Sequence, residues 1–164
     1  MKNIQAQPKF NFHLFDFSLL EEVCLIDDEH SFLFLNQMIF KDTFPKLKVI
    51  SYNNIKDAFV HLQNNNDIKR LVILDINLGY TTGFELLDLL NPFSFKNLNV
   101  IIHSSCTSNK NIEKAFTYPL VKAFIEKPLF VETIELISGK ISSFNNKLDC
   151  GGTIFTRETF ALHL

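Results

Sequence analysis

The chain has 164 residues, of which 46% are apolar and 21% charged, and this composition predicts one globular domain with short tails. Its formal net charge is −2 at pH 7 and its basic residues are scattered, which argues against direct binding of nucleic acid. No apolar run approaches the roughly 18 residues of a membrane span, and the N-terminus lacks a signal-peptide pattern, so we expect a cytoplasmic protein without a membrane partner.

Short apolar runs recur along the chain at fairly even spacing, and each run predicts a β-strand. The runs cover residues 23–26, 47–50, 71–74, 100–102 and 121–125. The first, third and fourth runs are apolar at successive positions. This pattern is typical of a parallel sheet that has helices on both faces.

Helical signals lie between these runs. Asn54 is a candidate N-cap for a helix over residues 55–62, and Thr82 begins a capping-box pattern with Glu85. After the fifth run, apolar residues at steps of four and three predict a long amphipathic helix over residues 130–144.

This alternation of strands and helices predicts a doubly wound α/β domain over residues 21–145, with five parallel strands. Residues 1–20 and 146–164 fall outside the repeat and are interpreted as tails. The N-terminal tail contains alternating aromatic residues, and the glycine pair at 151–152 could turn a short hairpin. The tails either order against the core or a neighbouring chain, or stay disordered.

Polar residues stand at the carboxyl ends of four predicted strands, where ligands bind in open parallel sheets. Asp27 and Asp28 follow the first strand, and Asp75 follows the third. Ser104 ends the fourth strand and Lys127 follows the fifth. We therefore expect three carboxylates, a hydroxyl and an ammonium to converge at one edge of the sheet.

The three carboxylates predict a metal site. Two unit charges about 4 Å apart repel by about 4 kcal/mol at an effective dielectric constant of about 20, so Asp27, Asp28 and Asp75 require a nearby cation. Ligation by oxygen alone favours Mg²⁺, which keeps water ligands and binds phosphate oxygens. Taken by themselves, Asp27 and Asp28 could equally cap the first helix.

Asp75 is a candidate nucleophile toward phosphorus, because the apolar strand before it lifts its carboxylate out of the core at the metal edge. Phosphoryl transfer spreads negative charge over the oxygen atoms of the phosphoryl group. The ammonium of Lys127 and the hydroxyl of Ser104 could stabilise that charge. A cis bond before Pro128 would aim Lys127 inward. Each of these residues alone would more often be structural, and the case depends on their combination.

The four motifs that carry this pattern are VCLIDDEH, LVILDINLGYTTGFELL, VIIHSSCTS and KAFIEKPL. With these motifs in this order, the chain resembles the receiver domains of bacterial two-component response regulators over about residues 21–140. The resemblance implies a flavodoxin-like fold with strand order 2-1-3-4-5.

The resemblance also implies a Mg²⁺ cofactor and its ligands. By position, these would be the carboxylates of Asp27, Asp28 and Asp75 and the backbone carbonyl of Asn77. Gly79 is a mild departure, since proline is usual at its position.

The implied phosphoacceptor is Asp75, with Ser104 and Lys127 as the other catalytic residues. Ser104 and Phe124 match the hydroxyl and the aromatic residue that switch on phosphorylation. Gly83 matches the glycine that closes the loop after the acceptor.

The function that the resemblance implies is that of a stand-alone signalling switch, which catalyses only its own phosphorylation and dephosphorylation. A sensor histidine kinase or a histidine phosphotransfer protein would donate the phosphoryl group, and a downstream protein would receive the signal. The family also implies a homodimer through the fourth and fifth helices and the fifth strand, although the aromatic N-terminal tail could mediate dimerisation instead.

Three alternatives stay open at this point. A phosphatase of the haloacid dehalogenase type would need a second aspartate two residues after Asp75, where this chain has Asn77, whose amide cannot act as a general acid or base. A pseudo-receiver would keep the fold as a protein-interaction module without phosphorylation. The chain could also be a fragment of a longer regulator.

Overall fold

A computed structural model describes residues 16–64, 67–140 and 153–161 of the chain. The strands of its main sheet are β1 (Glu22–Ile26), β2 (Lys48–Tyr52), β3 (Arg70–Leu74), β4 (Leu98–Ser104), β5 (Val121–Glu126) and β6 (Ile154–Thr156), and Asn77–Leu78 and Thr81–Thr82 form a separate antiparallel pair. Its helices are α1 (His30–Thr43), α2 (Ile55–Gln63), α3 (Gly83–Leu90), α4 (Asn109–Thr117), α5 (Val131–Ile137) and α6 (Arg157–Ala161). None of the helices within these ranges is long and apolar enough to cross a lipid bilayer.

The six strands form one sheet in the order β2-β1-β3-β4-β5-β6. The first five are parallel, which confirms the predicted doubly wound fold and its strand order 2-1-3-4-5. The sixth strand was not predicted as part of this sheet. It comes from the C-terminal tail and runs antiparallel along the outer edge of β5. The predicted glycine turn at 151–152 lies outside the described residues.

The central strands are buried on both faces, as their continuous apolar sequences predict. Side chains alternate between two cores. Cys24 and Ile26 of β1 pack on the side of α2, α3 and α4, whereas Val23 and Leu25 pack on the side of α1 and α5. This two-sided burial fixes the strand ends, where the polar residues stand.

Two predicted helix starts are confirmed. The side chain of Asn54 accepts a hydrogen bond from the Asp57 amide at 2.9 Å and caps α2. Before α3, the Thr82 hydroxyl accepts a bond from the Glu85 amide, and the Glu85 carboxylate accepts one from the Thr82 amide. This capping box anchors the helix that closes the loop after β3.

The last helix of the repeat is shorter than predicted. Instead of running over 130–144, α5 ends at Ile137, because Gly139 adopts a left-handed conformation with φ of +75°. The Gly139 amide donates to the Leu136 carbonyl at 3.0 Å and closes the final turn. The last part of the predicted helix, beyond residue 140, lies outside the described residues.

Parts of both predicted tails pack on the domain. Phe17, in a short 3₁₀ turn (Phe17–Leu19), is only 4% exposed and stacks on Phe44 with ring centroids 5.1 Å apart. At the other end, β6 and α6 lie against β5 and α4. The predicted domain boundaries at residues 21 and 145 mark only the limits of the strand and helix repeat, and they stay a prediction.

Candidate functional site

The hydrogen bonds that join β1 to β2 and to β3 continue for one residue past the strand ends. They fix Asp27 and Asp75 at the edge of the sheet. The Asp27 amide donates to the Tyr52 carbonyl at 3.1 Å, and the Asp75 amide donates to the Ile26 carbonyl at 2.9 Å. Asp27 is 3% exposed and Asp75 5%, whereas Asp28 is exposed. One carboxylate oxygen from each lies within 4.8 Å of the others. The predicted convergence of three carboxylates is therefore present.

Lys127 reaches into this cluster from the end of β5. Its Nζ lies 2.6 Å from Asp27 Oδ2 and 2.7 Å from Asp75 Oδ2, and its side chain is 4% exposed. Its backbone amide donates to the Ser104 carbonyl at 3.2 Å, and its peptide bond to Pro128 is cis. Two carboxylates thus share a single buried ammonium.

The charges of this cluster do not cancel. Burial raises the pKa of Asp27, and the charge of Asp75 acts in the same direction, against hydrogen bonds from Lys127 and the Glu29 amide. Burial alone would lower the pKa of Lys127, but its hydrogen bonds to Asp27 and Asp75 outweigh burial and raise that pKa. Lys127 therefore stays charged, and three carboxylates face one cation.

The donor set fits a hard divalent cation. Within the described ranges, the side-chain ligands that converge here are carboxylate oxygens, and their excess negative charge is the kind that Mg²⁺ neutralises. Asp27, Asp28 and Asp75 could hold the ion together. The Asn77 amide donates to Asp75 Oδ1 at 3.2 Å, which keeps Asn77 beside the cluster, and its carbonyl remains a predicted ligand.

Two glycines shape the loop that follows Asp75. Gly79 has φ of +63°, and a Cβ there would lie 3.4 Å from Asp28 Oδ2. At Gly83, a Cβ would lie 2.2 Å from the carbonyl oxygen of Asp75, which is closer than real Cβ atoms approach. Gly83 therefore lets the start of α3 pack directly against the backbone of the candidate acceptor.

Ser104 and Phe124 lie deeper than the acidic cluster. Ser104 is fully buried, and its Oγ accepts a hydrogen bond from the Cys106 amide at 3.4 Å. Phe124 is also fully buried, three positions before Lys127 on β5, and its ring packs edge-to-face on Phe155 at 6.3 Å. Ser104 is thus at the end of β4, whereas Phe124 lies within β5, opposite Ile102 of β4.

Phe32 packs against Lys127 and is followed by a chain of contacts to His103 and Asn36. The Phe32 ring centroid lies 4.2 Å from Lys127 Nζ, and His103 meets the Phe32 ring edge-on at 6.2 Å. The nitrogen atoms Asn36 Nδ2 and His103 Nδ1 are 3.5 Å apart. Burial lowers the pKa of His103 to about 3, and the charge of Lys127 adds to this effect. His103 is therefore neutral near pH 7.

No motif of the sequence points to Phe32. A usable signal is the spacing of Phe32 and Asn36, since residues four apart share one face of a helix. That signal becomes specific only when the helix is known to cross the carboxyl end of β4.

Solved structures that match the fold of this chain include response regulators and their receiver domains. A two component response regulator from Cytophaga hutchinsonii is 26% identical, with a TM-score of 0.63 over 74% of this chain and 96% of that one. A receiver protein from Dyadobacter fermentans DSM 18053 is 20% identical, with a TM-score of 0.64 over 73% and 95% of the two chains. Vibrio cholerae chemotaxis protein CheY4 is 19% identical, with a TM-score of 0.60 over 70% and 92%.

Among curated protein sequences, none matches this chain significantly. The family model of the response regulator receiver domain matches residues 23–137, which is more than half of the chain and includes every candidate site residue. The chain therefore belongs to the response regulator receiver domain family.

Proposed function

We propose that the chain is a phosphorylation-dependent switch in which Asp75 accepts a phosphoryl group from a sensor histidine kinase or a histidine phosphotransfer protein. Membership of the family supports the general class, since receiver domains are phosphoryl-accepting signalling modules of two-component systems and not metabolic enzymes. The observation that carries the assignment is the carboxylate of Asp75, nearly buried, bonded to Lys127 and placed beside two further aspartates.

Receiver domains generally bind Mg²⁺ at such an acidic cluster. In this chain Asp27, Asp28, Asp75 and the carbonyl of Asn77 would hold the ion. When bound, Mg²⁺ supplies positive charge that neutralises the oxygens of the transferred group. This role is consistent with the excess of carboxylates over ammonium groups in the cluster.

The proposed transfer needs only one nucleophile. A carboxylate oxygen of Asp75 forms a bond to phosphorus while the bond from phosphorus to the donor's imidazole nitrogen breaks, and the imidazole takes up a proton. The product is an acyl phosphate on Asp75. Lys127 stabilises one phosphoryl oxygen by charge, and the Ser104 hydroxyl donates a hydrogen bond to another.

The proposed response starts at Ser104. A phosphoryl group adds negative charge and strong acceptors, which draw the Ser104 hydroxyl away from the Cys106 amide. Space then opens into which the Phe124 ring can rotate, and the surface of α4, β5 and α5 changes with it. We propose that the output is a change of protein partner at this surface, either a downstream target or a second copy.

The proposal is tested by the intact mass of the protein after incubation with acetyl phosphate and Mg²⁺. We expect one added phosphoryl group on the wild type, none on Asp75→Ala and none after addition of EDTA. Asp88→Ala is the matched control, because Asp88 is an exposed aspartate of α3 and should leave the adduct unchanged. An adduct on Asp75→Ala equal to that on the wild type would contradict the assignment.

The alternative of a non-phosphorylated pseudo-receiver predicts no adduct under any of these conditions. An incomplete acidic cluster would favour it, whereas here Asp27, Asp28 and Asp75 are all present and close together. A haloacid dehalogenase-type phosphatase is disfavoured because Asn77 stands where that chemistry needs an acid.

A further inference from the structure

The outer edge of β5 is covered by a segment of the same chain, residues 153–161. The pairing is antiparallel and short. It comprises Ala123 with Thr156, Phe124 with Phe155 and Ile125 with Ile154. One more hydrogen bond, from the Glu126 amide to the Thr153 carbonyl at 3.0 Å, extends the ladder toward the acidic cluster.

Arg157 fastens this segment to the end of α4 and the start of β5. Its guanidinium donates to the Phe116 carbonyl, to the Tyr118 carbonyl at 2.7 Å and to the Val121 carbonyl at 3.1 Å. It also lies over the Phe116 ring, with 5.5 Å to the centroid. Arginine suits this arrangement because its guanidinium is planar and holds several N–H donors in fixed directions.

Aromatic packing supplies the apolar part of the contact. Phe155 and Phe160 pack on each other with centroids 6.3 Å apart. Phe155 also packs on Phe124 at 6.3 Å, and Phe160 packs on Phe116 at 6.0 Å. The segment therefore presents an aromatic anchor, an arginine and a second aromatic anchor to the surface formed by α4 and β5.

This contact is joined to the proposed phosphorylation site through β5. The Thr153 hydroxyl donates to the Glu126 carboxylate at 3.0 Å, and Glu126 directly precedes Lys127. Phe155 packs on Phe124, the proposed switch residue. A shift of Lys127 or a rotation of Phe124 would therefore disturb the segment at two points.

The segment is small enough to be exchanged. Its strand has three residues and its helix five, so it covers the edge without the long ladder that would make it permanent. An exposed strand edge binds extended peptides through its main chain, and pockets for alternate side chains select the sequence. Residues 153–161 now use both kinds of contact on β5, main-chain pairing and the packing of Phe155 on Phe124, and an external peptide could take their place.

We propose that residues 153–161 are an internal ligand that closes a strand-addition surface on β5, and that phosphorylation of Asp75 releases it. The external occupant is an extended segment of a protein partner, with an aromatic residue opposite Phe124 and an arginine that reaches the carbonyls of Phe116, Tyr118 and Val121. The release step rests on the proposed function, whereas the binding surface itself does not.

The test uses a fluorescent peptide with the sequence of residues 153–161 and the full-length protein. We expect weak binding to the wild type, because its own segment competes, and binding at least about tenfold tighter to Arg157→Ala, in which that segment is loosened. Arg157→Lys keeps the charge but loses the planar guanidinium, so its affinity should be intermediate. A peptide that carries alanine in place of its arginine should not bind.

A second arm adds beryllofluoride and Mg²⁺, a stable mimic of the phosphoryl group. We expect the wild type then to bind the peptide nearly as tightly as Arg157→Ala does. By thermodynamic reciprocity, Arg157→Ala should bind beryllofluoride more tightly by the factor through which beryllofluoride strengthens peptide binding in the wild type. Phe155→Ala is an independent variant with a loosened segment and should behave as Arg157→Ala does.

Failure of peptide binding to Arg157→Ala and Phe155→Ala, both with native circular dichroism, would overturn the strand-addition surface. The release step would be overturned if wild type binds the peptide equally well before and after phosphorylation of Asp75, with the phosphorylation verified by mass spectrometry. If Asp75 is never modified, the proposed function and the release step fail together, while tight binding of the peptide to the two variants still supports the surface.

Discussion

Lys127 Nζ lies 2.7 Å from Asp75 Oδ2, although the two residues are 52 positions apart in the chain. They stand at the ends of β3 and β5, which are separated by β4, so the lysine side chain reaches across an intervening strand. The same ammonium lies 2.6 Å from Asp27 Oδ2. This arrangement makes Lys127 both the stabiliser of the metal-free cluster and a competitor of the cation that we propose to bind there.

Removal of Lys127 should therefore affect metal binding and phosphoryl transfer in opposite directions. Lys127→Ala removes a positive charge next to Asp27 and Asp75, and we expect Mg²⁺ to bind severalfold more tightly in titration calorimetry. Phosphorylation by acetyl phosphate should fall by about 100-fold, since a charge that stabilises the transition state is lost.

Lys122→Ala is the matched control for this variant, because Lys122 is also on β5 but donates to the Pro119 carbonyl. Lys122→Ala should change neither the affinity for Mg²⁺ nor the phosphorylation by acetyl phosphate. Weaker Mg²⁺ binding by Lys127→Ala, in a protein with a native circular dichroism spectrum, would show that the lysine supports the metal site and would contradict this account of the cluster.

The two glycines after Asp75 should respond very differently to alanine. Gly83→Ala places a Cβ 2.2 Å from the Asp75 carbonyl oxygen, so the start of α3 must move, and we expect a loss of about 3 kcal/mol or more in the free energy of unfolding. Gly79→Ala requires a left-handed backbone but places its Cβ at an ordinary contact distance of 3.4 Å from Asp28 Oδ2, and should cost about 1 kcal/mol. Urea denaturation measures both, and equal losses would contradict the difference in packing.

A buried charge network lies at the other end of the sheet. Glu22 and Arg70 are each 1% exposed, and Arg70 Nε lies 2.5 Å from Glu22 Oε1. His61 and Lys48 also contact Glu22, at 2.7 and 2.8 Å. Burial alone would raise the pKa of Glu22, but the hydrogen bonds from these three residues lower it to about 2.

Loss of one partner in this network should cost more than loss of both. Arg70→Met leaves the Glu22 carboxylate buried without its closest cation, and we expect a destabilisation of about 3 to 5 kcal/mol. The double variant Glu22→Leu with Arg70→Met removes both charges and should recover a large part of that loss. A double variant that is less stable than Arg70→Met in urea denaturation would show that Glu22 stabilises the fold by contacts other than this pair.

His103 should make the stability depend on pH. The folded protein keeps it neutral because its pKa is lowered to about 3 by burial, whereas the ordinary value is 6.5. Below pH 6.5 the His103 side chain therefore binds a proton in the unfolded chain but not in the folded one. The free energy of unfolding decreases as the pH is lowered. Between pH 6.5 and 5 this contribution is about 1.5 kcal/mol.

Urea denaturation of the wild type and of His103→Leu at these two pH values isolates that contribution. From pH 6.5 to pH 5, the free energy of unfolding of His103→Leu should decrease by about 1.5 kcal/mol less than that of the wild type. The same loss in both proteins would mean that His103 is accessible to protons in the folded state.

The five parallel strands and the acidic cluster could be predicted from the sequence because both follow from local signals, whereas the strand order was implied by the family resemblance. Each of the five parallel strands contains a short, mainly apolar run, and Asp27 and Asp75 directly follow two of these runs. Once the strands are parallel, topology alone brings Asp27, Asp75 and Lys127 to one edge. No knowledge of side-chain packing is needed for that step.

The features that could not be predicted depend on packing between distant segments. The β6 strand has three residues, too few for a reliable pattern, and Arg157 binds backbone carbonyls, which leave no trace in the sequence. The contact of Phe32 with Lys127 likewise requires the crossing position of α1. The early end of α5 had a signal in Gly139, but apolar spacing beyond it favoured a longer helix.

The central claim is that Asp75 is the residue that carries the phosphoryl group, and chemical trapping tests it most directly. Sodium borohydride reduces an aspartyl phosphate to homoserine, which peptide mass spectrometry can locate. After treatment with acetyl phosphate and Mg²⁺ followed by borohydride, we predict homoserine at position 75 alone. Homoserine at Asp27 or Asp28 instead, or its absence from all three positions in a protein of native fold, would contradict the account.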